Sequence, residues 1–160
     1  MQLYIRQKVF SWRDRFAVKD SMGEDRYYIE GELFTLGKRL HVYDRSGREV
    51  AYIHQKPWSF MPKFFVYVGG TQVAEIVREF TFFRHKYRVA GLNWDVEGSF
   101  WAHDYRISDG SRPVVTIHKE WMTWGDCYEL DISQGQNELV ALAVVLAIDC
   151  CLQQAANAAN

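Results

Sequence analysis

The chain has 160 residues, 48% of them hydrophobic and 16% aromatic, and its formal net charge at pH 7 is −1. This length suits one domain with a full hydrophobic core, and we expect residues 1–160 to form a single domain. The aromatic content favours β-strands over disordered segments. A near-neutral charge gives no basic footprint for nucleic acid, so we expect no nucleic-acid partner.

The first residues, Met1 to Lys8, lack the apolar segment of a signal peptide. We therefore expect a cytoplasmic location, peripheral at the membrane if the protein binds lipid headgroups. Three cysteines, Cys127, Cys150 and Cys151, cannot all pair with one another, and adjacent cysteines rarely meet disulfide geometry. The sequence predicts reduced thiols and leaves open whether the adjacent pair has a redox role.

Three segments, 42–54, 66–77 and 106–118, share a pattern of strand, tight turn and strand. Their turns contain Ser46-Gly47, Gly69-Gly70 and Asp109-Gly110, residues that accept the positive φ of a tight hairpin. Further turn signals lie at intervals suited to short antiparallel strands. We expect about ten to twelve strands arranged as an antiparallel meander.

Alternation within the hairpins separates an inner face from an outer face. In the second strand of each hairpin, small and branched residues share one face, which we predict to point inward: Ala51, Ile53, Ala74, Ile76, Val115 and Ile117. The opposite face carries Tyr52, His54, Glu75, Thr116 and His118. Small inward side chains would leave room in the centre of a barrel, since about twelve strands enclose a space too wide for their own side chains to fill.

The segment from Trp58 to Pro62 is bounded by prolines and contains Phe60 and Met61. Aromatic and methionine side chains in such a loop provide an adaptable apolar surface for a partner. A lid packed over the barrel is the alternative. Trp58, Phe60 and Met61 are thus candidate partner-binding residues.

A basic stripe follows, because strand alternation places Arg84, Lys86 and Arg88 on one face. Lys38, Arg39 and Lys63 extend this stripe if the fold brings them close. Such a stripe is suited to anionic headgroups. The competing interpretation is an outward face that needs charge for solubility and to prevent edge pairing.

The final segment, about residues 137–152, is apolar on all sides and bracketed by Glu138 and Asp149. With about ten apolar residues between those carboxylates, it is too short to span a bilayer, so we expect no transmembrane segment. A helix that is apolar all round must be buried all round. The sequence predicts an all-β fold, a roughly twelve-stranded antiparallel barrel, that encloses this helix.

Four stretches, residues 8–12, 31–34, 40–44 with Gly47, and 139–149, resemble the LURP-one-related family, and closest are its small bacterial members. The resemblance covers essentially the whole chain. It implies the tubby-like superfamily, related to phospholipid scramblases, and thus a twelve-stranded barrel around a hydrophobic C-terminal helix. Tubby domains bind phosphoinositide headgroups through basic residues, but no tubby-type lipid-binding motif can be matched here residue by residue.

No catalytic signature accompanies this pattern: neither a nucleophile elbow nor a phosphate-binding glycine loop is present in the sequence. Its five histidines, at 41, 54, 85, 103 and 118, show none of the spacings of common metal sites, and His103 beside Asp104 is the best local pair. We expect no catalytic residues, metal or cofactor. The sequence favours a non-enzymatic module for anionic phospholipid headgroups; a protein-interaction scaffold and an enzyme with a rim site are the alternatives. It leaves the ligand, the physiological role and the oligomeric state open.

Overall fold

The computed structural model describes residues 1–6, 15–32, 36–80, 85–122 and 125–158, which form twelve strands, a short 3₁₀ turn (Phe100–Ala102) and one α-helix, α1 (Glu138–Ala158). The strands are β1 (Gln2–Arg6), β2 (Phe16–Asp20), β3 (Asp25–Gly31), β4 (Arg39–Asp44), β5 (Glu49–Gln55), β6 (Lys63–Val68), β7 (Thr71–Phe80), β8 (His85–Ala90), β9 (Trp94–Ser99), β10 (Asp104–Asp109), β11 (Arg112–Met122) and β12 (Gly125–Ile132).

The strands form a closed antiparallel barrel in which every strand pairs with its neighbours in the chain. The barrel closes where β1 pairs with β12, in a register that runs from Gln2 opposite Asp131 to Arg6 opposite Cys127. Closure leaves no edge strand to protect from pairing with other chains. The predicted barrel and meander are confirmed.

The hairpin turns have the predicted chemistry. Between β6 and β7, Gly69 and Gly70 have φ angles of 57° and 80°. Two successive left-handed conformations of this kind are adopted without strain only by glycine. The faces are also as predicted: Ala51, Ala74 and the other inward residues of the repeated hairpins are buried, whereas the opposite faces are exposed or half-buried. The small side chains make room for α1, which packs against β5, β6, β7 and β12.

Helix α1 is buried on every side from Ala141 to Leu152. Fully burying a branched or long apolar side chain contributes roughly 1.5–3 kcal/mol, so this helix supplies much of the core. It ends at Ala158 and not near residue 152, and Asp149 lies inside it and not at its end.

By length and composition the window Glu138–Ala155 would suffice to cross a bilayer. The prediction from sequence counted only the apolar residues between Glu138 and Asp149 and therefore underestimated the length of this apolar segment. However, 72% of that window is buried inside the barrel. Those two facts together identify α1 as the core helix of the barrel.

The two ends of the barrel differ in the loops they carry. Glu138, at the start of α1, forms an ion pair with Arg26 at the start of β3, and we name this end the entry end. The C-terminal half of α1 reaches the opposite end, where Asp149 faces His103, just before β10. This exit end carries the loops that follow β1, β3, β5, β7, β9 and β11.

Candidate functional site

The β5–β6 loop projects two bare aromatic side chains from the exit end. Trp58 is 92% exposed and Phe60 is 99% exposed, whereas Met61 is half-buried. Trp58 has a φ of 57°, a left-handed conformation that a bulky residue rarely adopts. In this structure Trp58 and Phe60 are not part of a packed lid.

Backbone hydrogen bonds hold the base of this loop. The Lys56 amide donates to the Lys63 carbonyl at 2.8 Å, which continues the β5–β6 ladder into the loop, and the Arg78 amide donates to the Pro62 carbonyl at 3.4 Å. The loop therefore presents its aromatic tip from a fixed base.

The neighbouring β3–β4 loop adds a third exposed apolar side chain, Leu36, which is 72% exposed. Gly37 has a φ of +89°, and a Cβ there would lie 3.3 Å from the Gln55 carbonyl oxygen, so the β3–β4 loop closely approaches the end of β5. The Gln55 amide also donates to the Lys38 carbonyl at 2.8 Å. Leu36, Trp58 and Phe60, which we call the apolar tip, thus project from adjacent loops.

The residues of the predicted basic stripe have different environments in the structure. Arg84 lies outside the described residues. Lys86 and Arg88 are both exposed on β8, and Arg88 forms an ion pair with Glu79 on β7 at 3.0 Å. Part of the positive charge on this face is therefore neutralised by its neighbouring strand.

The three residues proposed to extend the stripe have separate environments. Lys63 forms an ion pair with Glu75 at 2.6 Å, and Arg39 forms one with Glu32 at 3.2 Å. The Lys38 amino group is buried near the C-terminal half of α1, and burial lowers its pKa. Lys38 therefore faces the barrel interior and does not join a continuous surface with Lys86.

The charge of the whole barrel is nevertheless polarised along its axis. Over the described loops and the two residues of each strand nearest the exit end, and leaving out Lys38 because its amino group is buried, basic residues exceed acidic ones at the exit end: Arg6, Arg15, Arg39, Lys56, Lys63 and Lys86 against Glu30, Glu32, Glu79, Asp104 and Asp126. Acidic residues exceed basic ones at the entry end, where the first residue of α1 is included: Asp20, Glu24, Asp25, Asp44, Glu49, Asp95, Asp109, Asp131 and Glu138 against Lys19, Arg26, Arg45, Arg48 and Arg112. The apolar tip therefore lies at the basic end.

A second polar feature lies inside the barrel, around Asp149. The Tyr128 hydroxyl donates to Asp149 Oδ2 at 2.5 Å, and His103 Nε2 lies 3.8 Å from Asp149 Oδ1 while its ring stacks on Tyr128 at 4.5 Å. His103 thus faces Asp149 on α1, whereas the prediction from sequence paired it with its neighbour Asp104. Burial raises the pKa of Asp149 to about 7, although the Tyr128 hydrogen bond acts in the opposite direction.

All three cysteines are buried thiols that form no disulfide in this structure. The adjacent pair lies deep in the exit half of the barrel, and burial raises the pKa of both Cys150 and Cys151. A buried thiol with a raised pKa is a poor nucleophile, since the thiolate is the reactive species.

Comparison with known proteins identifies the family to which this chain belongs. The sequence model described as LURP-one-related matches residues 1–149. The chain belongs to the LURP-one-related family. It is 32% identical over 152 residues to the uncharacterized protein YxjI of Bacillus subtilis (strain 168), with 95% of this chain and 94% of that protein covered.

The family's fold recurs in a solved structure of low sequence identity. An X-ray structure of a protein from Arabidopsis thaliana, AT5G01750, superposes with a TM-score of 0.63 at 17% identity and covers 92% of this chain and 89% of that one. The family and the barrel fold support a binding module as the general class of function.

Proposed function

We propose that the protein is a non-enzymatic, cytoplasmic binding module that docks reversibly on anionic membrane surfaces through its exit end. The observation that carries this proposal is the exposure of Trp58 and Phe60 at the basic end of the barrel. Tryptophan favours the membrane interface because its ring is apolar and its N–H is polar, and an exposed phenylalanine beside it adds apolar contact with lipid.

Electrostatics support the same orientation. An anionic leaflet attracts the exit end, which has an excess of basic residues, and repels the acidic entry end, so the field of the whole molecule turns the apolar tip toward the lipid. Lys56 and Lys86 are exposed at this end, and neither forms an ion pair with another described residue. Each such cation near the leaflet contributes about 1 kcal/mol.

Co-sedimentation with vesicles tests this proposal. The parent protein is expected to bind vesicles that contain phosphatidylserine, to bind neutral phosphatidylcholine vesicles weakly, and to lose binding as salt is raised. Replacement of Trp58 and Phe60 by Ser is expected to abolish the binding because the apolar contact is removed. Replacement of Lys56 and Lys86 by Gln removes about 2 kcal/mol, a weakening on the order of 30-fold.

Met22 supplies a matched control, because it is 83% exposed but lies in the β2–β3 turn at the entry end. The Met22→Ser variant should bind acidic vesicles as the parent does, and all variants should keep the parent's thermal midpoint. Equal binding by the Trp58/Phe60 double variant and the parent would overturn the proposal. Absence of binding by the parent at low salt would overturn it as well, in favour of a protein partner for the apolar tip.

A further inference from the structure

The outer wall of the barrel carries a second group of functional side chains, far in sequence from the apolar tip. His118 and Glu120 stand two residues apart on β11, so strand alternation directs both to the same face. Glu129 on β12 is the cross-strand partner of His118. One imidazole and two carboxylates therefore converge on one patch of the wall.

The distances suit a single metal ion. His118 Nε2 lies 3.3 Å from a Glu120 carboxylate oxygen and 3.9 Å from a Glu129 carboxylate oxygen, and one donor atom from each of the three residues lies within 4.8 Å of the others. Two donors that are each about 2.1 Å from a tetrahedral zinc ion lie roughly 3.4 Å apart. The distance from His118 to Glu120 already matches this spacing, the distance from His118 to Glu129 exceeds it by about half an ångström, and the half-exposed Glu120 side chain can rotate toward Glu129 to close the third.

Glu129 is the observation that separates this group from an ordinary surface cluster. Its side chain is only 9% exposed, and within the described part of the chain it forms an ion pair with His118 at 3.9 Å. A buried carboxylate needs a cation or a full set of hydrogen bonds to offset its lost hydration. An ion held between His118, Glu120 and Glu129 would supply that charge.

Tyr4 on β1 positions this carboxylate from the other side. Tyr4 is the cross-strand partner of Glu129, and burial together with a hydrogen bond from its hydroxyl to the Glu129 carboxylate raises the pKa of Tyr4 to about 12. Hydrogen bonds of this kind orient metal-binding carboxylates in proteins. The group thus extends over β11, β12 and β1, the strands at which the barrel closes.

We propose that His118, Glu120 and Glu129 form a binding site for a first-row divalent cation of the zinc type. Imidazole favours such ions over Mg²⁺ and Ca²⁺, which prefer all-oxygen sites. Three protein donors leave at least one coordination position for water. By joining β11 to β12, and through Tyr4 to β1, the ion would stabilise the closing strands of the barrel. This site lies on the wall and does not depend on the membrane-docking proposal.

Calorimetric titration of Zn²⁺ into the tag-free full chain, after treatment with a chelator, tests the site. We expect one ion per chain and a higher thermal midpoint with Zn²⁺ than with Mg²⁺. The His118→Ala, Glu129→Gln and Glu120→Gln variants should each weaken binding at least tenfold, and Tyr4→Phe should weaken it about 10–100-fold. Glu120 is half-exposed, so its variant tests the site without disturbing the core.

Two other histidines provide controls. His54 on β5 occupies the same position in its hairpin as His118 does on β11. However, His54 is surrounded by the rings of Tyr52, Phe65 and Tyr67. His41 contacts two carboxylates through opposite ring nitrogens, so one ion cannot reach all three groups. The His54→Ala and His41→Ala variants should bind Zn²⁺ as the parent does. Unchanged binding in His118→Ala and Glu129→Gln, or no binding by the parent at about millimolar Zn²⁺, would overturn the proposal.

Discussion

Asp149 is a single residue that lowers the stability of this fold. It is a carboxylic acid inside an apolar helix, and within the described part of the chain His103 Nδ1, Tyr105 Oη and Asp149 Oδ1 are buried without a hydrogen-bond partner. The titratable groups around it are His103, Tyr87, Tyr105, Tyr128 and the adjacent Cys150 and Cys151, and Lys119 acts on His103. Such a group costs stability when it must ionise, and the cost depends on pH.

We expect the stability of the parent to contain a component that falls as pH rises from about 4 to 7. The unfolded chain releases the Asp149 proton near pH 4, whereas the folded chain retains it until about pH 7, so rising pH favours unfolding across this window. The limit of this component is roughly 4 kcal/mol. Asp149→Asn keeps a hydrogen-bond acceptor for Tyr128 and should remove the component.

Urea unfolding at pH 4.5 and pH 7.5 measures this difference between the parent and Asp149→Asn. The variant should gain stability over the parent at pH 7.5 and match it more closely at pH 4.5. Other carboxylates titrate equally in both proteins, so their effect cancels in the comparison. The same pH dependence in both proteins would show that Asp149 is ionised in the folded state.

Some residue positions could not be predicted from the sequence because strand alternation ends where a loop begins. His103 follows the 3₁₀ turn with a φ of 49°, and this left-handed residue directs its ring toward α1. Lys38 similarly precedes β4, and its amino group is buried although lysine is usually exposed. By contrast, His118 and Glu120 obey strand alternation, and the spacing His-x-Glu on a strand was a usable signal for the group with Glu129.

At the scale of elements, the strands and the core helix were predictable, and the helix end was not. Period-two alternation and glycine turns predict the hairpins. A C-terminal segment that is apolar on all sides predicts the buried helix. The sequence pattern indicates a helix boundary at Asp149 because carboxylates rarely lie in a core. Tyr128 and His103, which surround that carboxylate, come from distant parts of the chain, so no local pattern revealed the burial.

The helix itself gives a direct test of its place in the barrel. Val145 is fully buried, so Val145→Asp should prevent folding, since an isolated buried charge costs several kcal/mol even after relaxation. Val145→Ala, the matched control, should fold with a loss of roughly 1–3 kcal/mol. Circular dichroism and thermal unfolding distinguish the two variants.

Deletion from Leu139 onward should have the same outcome as Val145→Asp, because the barrel would lose its core. A truncated chain that stayed monomeric and unfolded cooperatively would contradict the assignment of α1 as a core helix. In that case its length and composition would make it a detachable membrane anchor.

At the scale of the whole molecule, a net charge of −1 conceals a barrel with one basic and one acidic end. In an antiparallel meander, alternate loops lie at the same end, so the predicted topology would have grouped Leu36 with Trp58. The ion pairs Arg88–Glu79 and Lys63–Glu75 could not be predicted, because their prediction needs the register between strands, and composition does not give that register. The sequence therefore indicated the kind of surface, and the fold located it.

Fluorescence quenching by brominated lipids tests most directly whether the apolar tip enters a membrane. Because Trp58 is one of six tryptophans, the parent is compared with Trp58→Phe on the same anionic vesicles. We expect quenching of the parent emission that is largely absent in Trp58→Phe and that disappears at high salt. Equal quenching in the two proteins, or none in the parent under conditions where it co-sediments, would contradict docking through the exit end.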